Sequence, residues 1–198
     1  MNELLAVGAI VLIMIIPAAA AISTWRWHRE RRVQARLHGW RYAAAGRLGS
    51  FSTPFIVAGT IPPGCVWEVK PGKVKDQRVL GWHTPQARLR YGELAILRSG
   101  AAPAALKKHP TWRECPGILD RKLGWTLLAS HNHIGEVLVG GGWRASLQQL
   151  AQNTGPGQLL SVRWGKSGLS IVVQYHRRWQ TVEALVQLGA DLTALKPV

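Results

Sequence analysis

In 198 residues, 25 lysines and arginines stand against 10 acidic side chains, a net charge of +15. That excess excludes an acidic solvating segment and predicts counterparts of opposite sign, such as anionic headgroups or acidic protein surfaces. Two cysteines, Cys65 and Cys115, exclude a disulfide-stapled scaffold, and so few scattered carboxylates argue against paired acid–base chemistry.

The chain opens with an uncharged run, Leu4 to Ile22, about 28 Å long if helical, which matches a hydrocarbon core of about 30 Å. Arg26, Arg29, Arg31, Arg32 and Arg36 follow it, whereas only the terminal amine and Glu3 precede it. The positive-inside rule then predicts an amino terminus outside and a cytoplasmic remainder, in a bacterial inner (cytoplasmic or intracytoplasmic) membrane. A signal peptide would carry its basic residues ahead of the apolar run, so the segment is expected to be kept as a single-pass anchor. Gly8, Ala9 and Pro17 are helix-packing candidates, small residues and a kink where another membrane helix can approach. Trp25, Arg26, Trp27, Arg29, Arg31 and Arg32 are the expected membrane-interface residues, indoles and guanidiniums at headgroup depth.

Gly39 ends this basic helix, and the period then changes to short apolar or alternating stretches. Trp40–Ala45, Phe55–Gly59, Val66–Lys70, Val79–His83 and Leu94–Arg98 read as strands punctuated by Pro and Gly. Residues 99–126 read as a surface connection with a short helix near Ala104–Lys108. Strands resume at Trp125–Ala129, Glu136–Val139, Leu159–Trp164 and Leu169–His176, with Gly165-Lys166-Ser167-Gly168 as a hairpin turn. Helices are expected at Ala145–Gln152 and at Thr181–Leu195, the last with Val182, Leu185, Val186 and Leu192 on one stripe.

The expected fold class is therefore a single amino-terminal transmembrane helix plus one β-rich (α+β) cytoplasmic domain of short antiparallel strands closed by a carboxyl-terminal helix. Its expected domains are an anchor at 1–23, a basic juxtamembrane helix at 24–38 and a β-rich domain at 39–198.

Motifs for chemistry are weak. His131 and His133 supply two imidazoles where a zinc site needs three or four ligands, and no GxSxG elbow surrounds Ser130. Gly140-Gly141-Gly142 precedes a predicted helix without the lysine and hydroxyl of a phosphate loop. No catalytic residue, metal or cofactor is expected, although lipid or pigment contacts fit the composition. The informative surplus is tryptophan, ten in all, several beside an arginine, a pairing that binding hot spots favour. Trp143, Arg144, Arg177, Arg178 and Trp179 are the partner-binding candidates.

In layout, an amino-terminal helix before a basic β-rich domain resembles the H subunit of purple-bacterial photosynthetic reaction centres, without sharing a sequence motif with it. The resemblance implies a non-catalytic accessory subunit of a bacterial membrane complex, with photosynthetic and respiratory assemblies as candidates. Expected partners are integral membrane subunits and anionic lipids. A tethered module for anionic lipid or nucleic acid is the alternative, but no reading element for nucleic acid is present, so no specific nucleic acid is expected.

Overall fold

Helix α1 spans Asn2–Leu37, 36 residues or about 54 Å. The structure, a computed structural model, describes residues 2–44, 55–62, 64–90, 92–115, 124–130, 159–175 and 179–194, with α1 side chains described from Ile15 onward. The helix stops where Gly39 takes φ +70°. Its amide donates to the Arg36 carbonyl at 3.0 Å and that of Trp40 to the Ala35 carbonyl at 2.8 Å, a Schellman closure that glycine adopts without a Cβ penalty.

The single-pass anchor expected for residues 1–23 is corrected here: among the described residues no helix is long and apolar enough to cross a membrane. The topology and the single-pass localisation inferred from that anchor are withdrawn with it. Pro17 sits inside the continuous helix. Gly8 and Ala9 lie on α1, but their side chains are outside the described residues.

The chain divides into two compact units, Met1–Gly59 and Thr60–Val198. In the first, α1 packs on a hairpin of β1 (Arg41–Ala44) and β2, a strand spanning Phe55–Ile61, paired Tyr42 to Val57 and Ala44 to Phe55. Thr24, Trp27, His28 and Arg31 are half-buried and Ala35 fully so, a stripe at helical spacing that faces the hairpin. The Trp27 and Phe55 rings meet edge to face at 5.7 Å, and Tyr42 stacks on Phe55 at 5.9 Å.

The second unit holds β3 (Cys65–Val74), β4 (Gln77–Thr84), β5 (Leu94–Arg98), α2 (Ala102–Lys108), β6 (Arg113–Glu114), β7 (Trp125–Ala129), β8 (Leu159–Gly165), β9 (Gly168–Gln174) and α3 (Trp179–Ala194). Its strands lie in the order β3-β4-β9-β8-β5-β7-β6, each pair antiparallel. One cross-strand row runs Val69, Trp82, Ile171, Val162, Ile96, Leu127 through six strands, every member buried. Because side chains alternate along a strand, the next row over points the other way: Glu68, His83, Ser170 and Arg163 share a polar face. Where that second face reaches β5 and β7 it turns apolar. There Ala95, Leu97 and Leu128 pack with Ala102 and Trp112, so the stretch read as a surface connection supplies a buried tryptophan.

The β8–β9 hairpin turns through Lys166 and Ser167 as its Gly-Lys-Ser-Gly sequence predicts. Gly168 is required there twice over. It takes φ +112°, and a Cβ at that position would strike the Thr84 carbonyl and sit 2.8 Å from Cα of Pro85. Strands and the closing helix thus occur close to where the periodicity places them, and the β-rich part of the expected fold stands. The strand expected at Glu136–Val139 and the helix at Ala145–Gln152 lie outside the described residues.

Candidate functional site

α1 carries its charge on a helix whose two sides have different tasks. Opposite the hairpin-facing stripe, Ile15, Ile22, Trp25, Val33 and Leu37 are exposed, Trp25 by 56% and Leu37 by 74%. Steps of seven, three, eight and four residues keep these side chains within one face of a 3.6-residue helix. Arg26, Arg29 and Arg36 lie among them, exposed and with no ion-pair partner among the described residues. A face that alternates large apolar groups with guanidiniums suits the boundary between water and acyl chains, where the rings embed and the charges reach headgroups.

The two indoles of this stretch separate in role. Arg29 sits one turn after Trp25, its Cζ 5.5 Å from the exposed ring, so cation and ring present one amphipathic surface outward. Arg31 lies 5.2 Å over Trp27, but Trp27 is half-buried against Phe55 and serves the packing of unit one. Arg32 is exposed.

His28, which the sequence reading passed over, lies behind this surface with Nδ1 2.6 Å from the Tyr42 hydroxyl. Burial pushes its imidazole below the ordinary 6.5, and the Arg32 charge pushes the same way.

Of the partner-binding candidates, Trp143, Arg144, Arg177 and Arg178 lie outside the described residues. Trp179 begins α3 and is 7% exposed, so it belongs to the core. A third Arg–Trp contact joins strands instead, with Arg98 4.4 Å over Trp125, its register partner. His131, His133 and Gly140 to Gly142 also lie outside the described residues. Ser130 is engaged in the fold: its Oγ accepts the Glu93 amide at 2.6 Å, while its own amide donates to the Glu93 carbonyl at 2.9 Å. Among the described residues no three His, Cys, Asp or Glu side chains gather to hold a metal, and Cys65 and Cys115 are half-buried.

No protein family and no curated protein sequence matches the chain. Among solved structures, the chain is similar to the crystal structure of the mycobacterial trehalose monomycolate transport factor A, TtfA. The TM-score is 0.53 at 12% sequence identity, over 87% of this chain and 97% of that one. At that identity the likeness shows the shared fold. The layout resemblance to a photosynthetic reaction-centre subunit rested on an amino-terminal membrane-spanning helix, and the photosynthetic assignment is dropped with that helix; the similar solved structure is no photosynthetic subunit.

Proposed function

We propose that this protein is a non-catalytic accessory factor working at a bacterial membrane surface, where it supports transport of an envelope lipid by a partner membrane protein. The observation that carries this reading is the outward face of α1, on which the exposed Trp25 ring and the Arg29 guanidinium are held together among Ile22, Val33 and Leu37. In water that face leaves apolar area unburied, whereas at an anionic bilayer surface both its rings and its charges are satisfied. The engagement of Ser130 in backbone hydrogen bonds favours a structural over a nucleophilic use of that residue. The shared fold with the mycobacterial trehalose monomycolate transport factor A supports, by analogy of fold, the choice of transport among accessory roles.

Depletion of the protein in its host, followed by lipid analysis of separated membranes, tests this. Accumulation of an envelope lipid at its site of synthesis, restored by the parent chain and not by a Trp25→Ala, Arg29→Ala variant, is expected. An unchanged lipid distribution would sink the transport role.

A further inference from the structure

Between β3 and β4 the chain reverses through Lys75 and Asp76, with Val74 opposite Gln77 and Lys73 opposite Arg78. Every residue from Gly72 to Arg78 is exposed. Three residues here break two local rules. Lys75 takes φ +53°, the one described non-glycine residue with positive φ, at a turn position that glycine or asparagine fills with less strain. Lys73 and Arg78 are a directly opposed pair of like charge, which weakens a hairpin rather than stabilising it. Both departures add positive charge to the same tip, and an observed local strain of this kind points to a use for the group that bears it. None of Lys73, Lys75 and Arg78 has an ion-pair partner among the described residues, whereas Lys70, lower on β3, is neutralised by Glu68 at 2.6 Å. Amid these cations Val74 stands 50% exposed.

We propose that the tip of the β3–β4 hairpin is a docking surface for an anionic lipid bilayer, with Lys73, Lys75 and Arg78 contacting headgroups and Val74, on the other face of the hairpin from Lys73 and Arg78, entering the interface beside them. The inference rests on the membrane-surface reading above and adds to it a contact made by the second unit through its own residues. Charge complementarity selects an anionic occupant, and the exposed valine favours a lipid surface over an acidic protein. An exposed apolar side chain at a hairpin tip that also carries flexible cations fits a fluid interface, where lysine and arginine stems lie along apolar surface with their charges in water. A protein partner would instead present a shaped pocket or ladder to a valine at a hairpin turn.

Flotation of the purified full chain with vesicles of phosphatidylcholine alone, or of phosphatidylcholine mixed with phosphatidylglycerol, tests this. The parent is expected to bind the mixed vesicles more tightly. The triple variant Lys73→Gln, Lys75→Gln, Arg78→Gln should lose about a hundredfold in affinity for mixed vesicles at low salt and nothing on neutral ones. Val74→Ser should weaken binding further in the triple background. Its fold is checked by thermal unfolding, and since the triple removes the Lys73–Arg78 repulsion, its melting temperature should not fall. Arg163→Gln with Lys166→Gln, two exposed cations elsewhere on the second unit, should leave binding unchanged. Equal binding by parent and triple, or an equal loss in the Arg163, Lys166 variant, overturns the hairpin site. So does a triple that keeps vesicle binding and loses a crosslink to an acidic protein. A parent that ignores anionic vesicles overturns the membrane-surface reading itself, which separates the two failures.

Discussion

Gly189 lies directly on the indole of Trp82: a Cβ added to this helical glycine would fall under 3.0 Å from Cδ2, Cε2 and Cζ2 of the ring. α3 approaches the sheet through that one missing side chain, and Trp82, second in the six-strand apolar row, forms the floor it rests on. Alanine is the better helix former by about 1 kcal/mol, so Gly189→Ala would stabilise an exposed helix. Here crowding against a fully buried ring outweighs that gain, and a net loss of about 1–3 kcal/mol is expected in chemical denaturation. The loss should shrink by about 1 kcal/mol or more in a Trp82→Leu background, because the clash is with the ring itself. A Gly189→Ala variant more stable than the parent would show that α3 does not seat as described.

Ser130→Ala separates structure from chemistry at the serine that invites a nucleophile reading. Removing an Oγ that accepts the Glu93 amide leaves that exposed donor to water beside the β5–β7 pair, at a cost of about 0.5–1 kcal/mol. The expected outcome is a lower denaturation midpoint with complementation in the host retained. Parent-like stability with lost complementation would instead assign Ser130 a chemical role.

The strands were legible in sequence because the second unit's apolar face alternates cleanly, as at Trp67, Val69 and at Leu80, Trp82, Thr84, and because Gly and Pro mark their ends. Their order was not legible. β5 pairs with β8 and β7, strands separated from it by long stretches of chain, and register is set by pairing that no local window contains. β6 was missed because two residues carry no period. At the candidate site, Trp25 and Trp27 looked equivalent as indoles beside arginines. Only the position of the hairpin against α1 makes one a surface group and the other a packing group.

That division gives opposite outcomes for two substitutions separated by one residue. Trp25→Ala removes an exposed ring, so stability should hold within about 0.5 kcal/mol while affinity for anionic vesicles falls about tenfold. Trp27→Ala removes a ring seated on Phe55, and hydrogen exchange of the β1–β2 amides should quicken as the hairpin loosens. Reversed results, with Trp25 governing exchange and Trp27 vesicle affinity, would invert the assignment of the two faces of α1.

His28 makes the packing of α1 on its hairpin sensitive to pH. Burial first, and then the Arg32 charge, disfavour its protonated form, so the imidazole of the folded unit titrates below the ordinary 6.5. Above that value His28 is neutral whether α1 is packed or released, and stability does not change with pH on its account. As the pH falls below it, the released state takes up a proton before the packed state does, and stability declines until the folded value is passed. The Tyr42 hydroxyl, 2.6 Å from Nδ1, can donate to the neutral ring or accept from the imidazolium, so the contact survives in either state and the slope comes from burial and Arg32. Protection of the Tyr42 and Ala43 amides, corrected for intrinsic exchange, should therefore drop between about pH 7.5 and about pH 5. His28→Gln should flatten that slope. Tyr42→Phe should leave that slope in place, since burial and then the Arg32 charge are its causes. Unchanged protection across this range in the parent chain would show that His28 is solvated when α1 meets the hairpin, and the packed arrangement of Trp27, His28 and Ala35 would have to be redrawn.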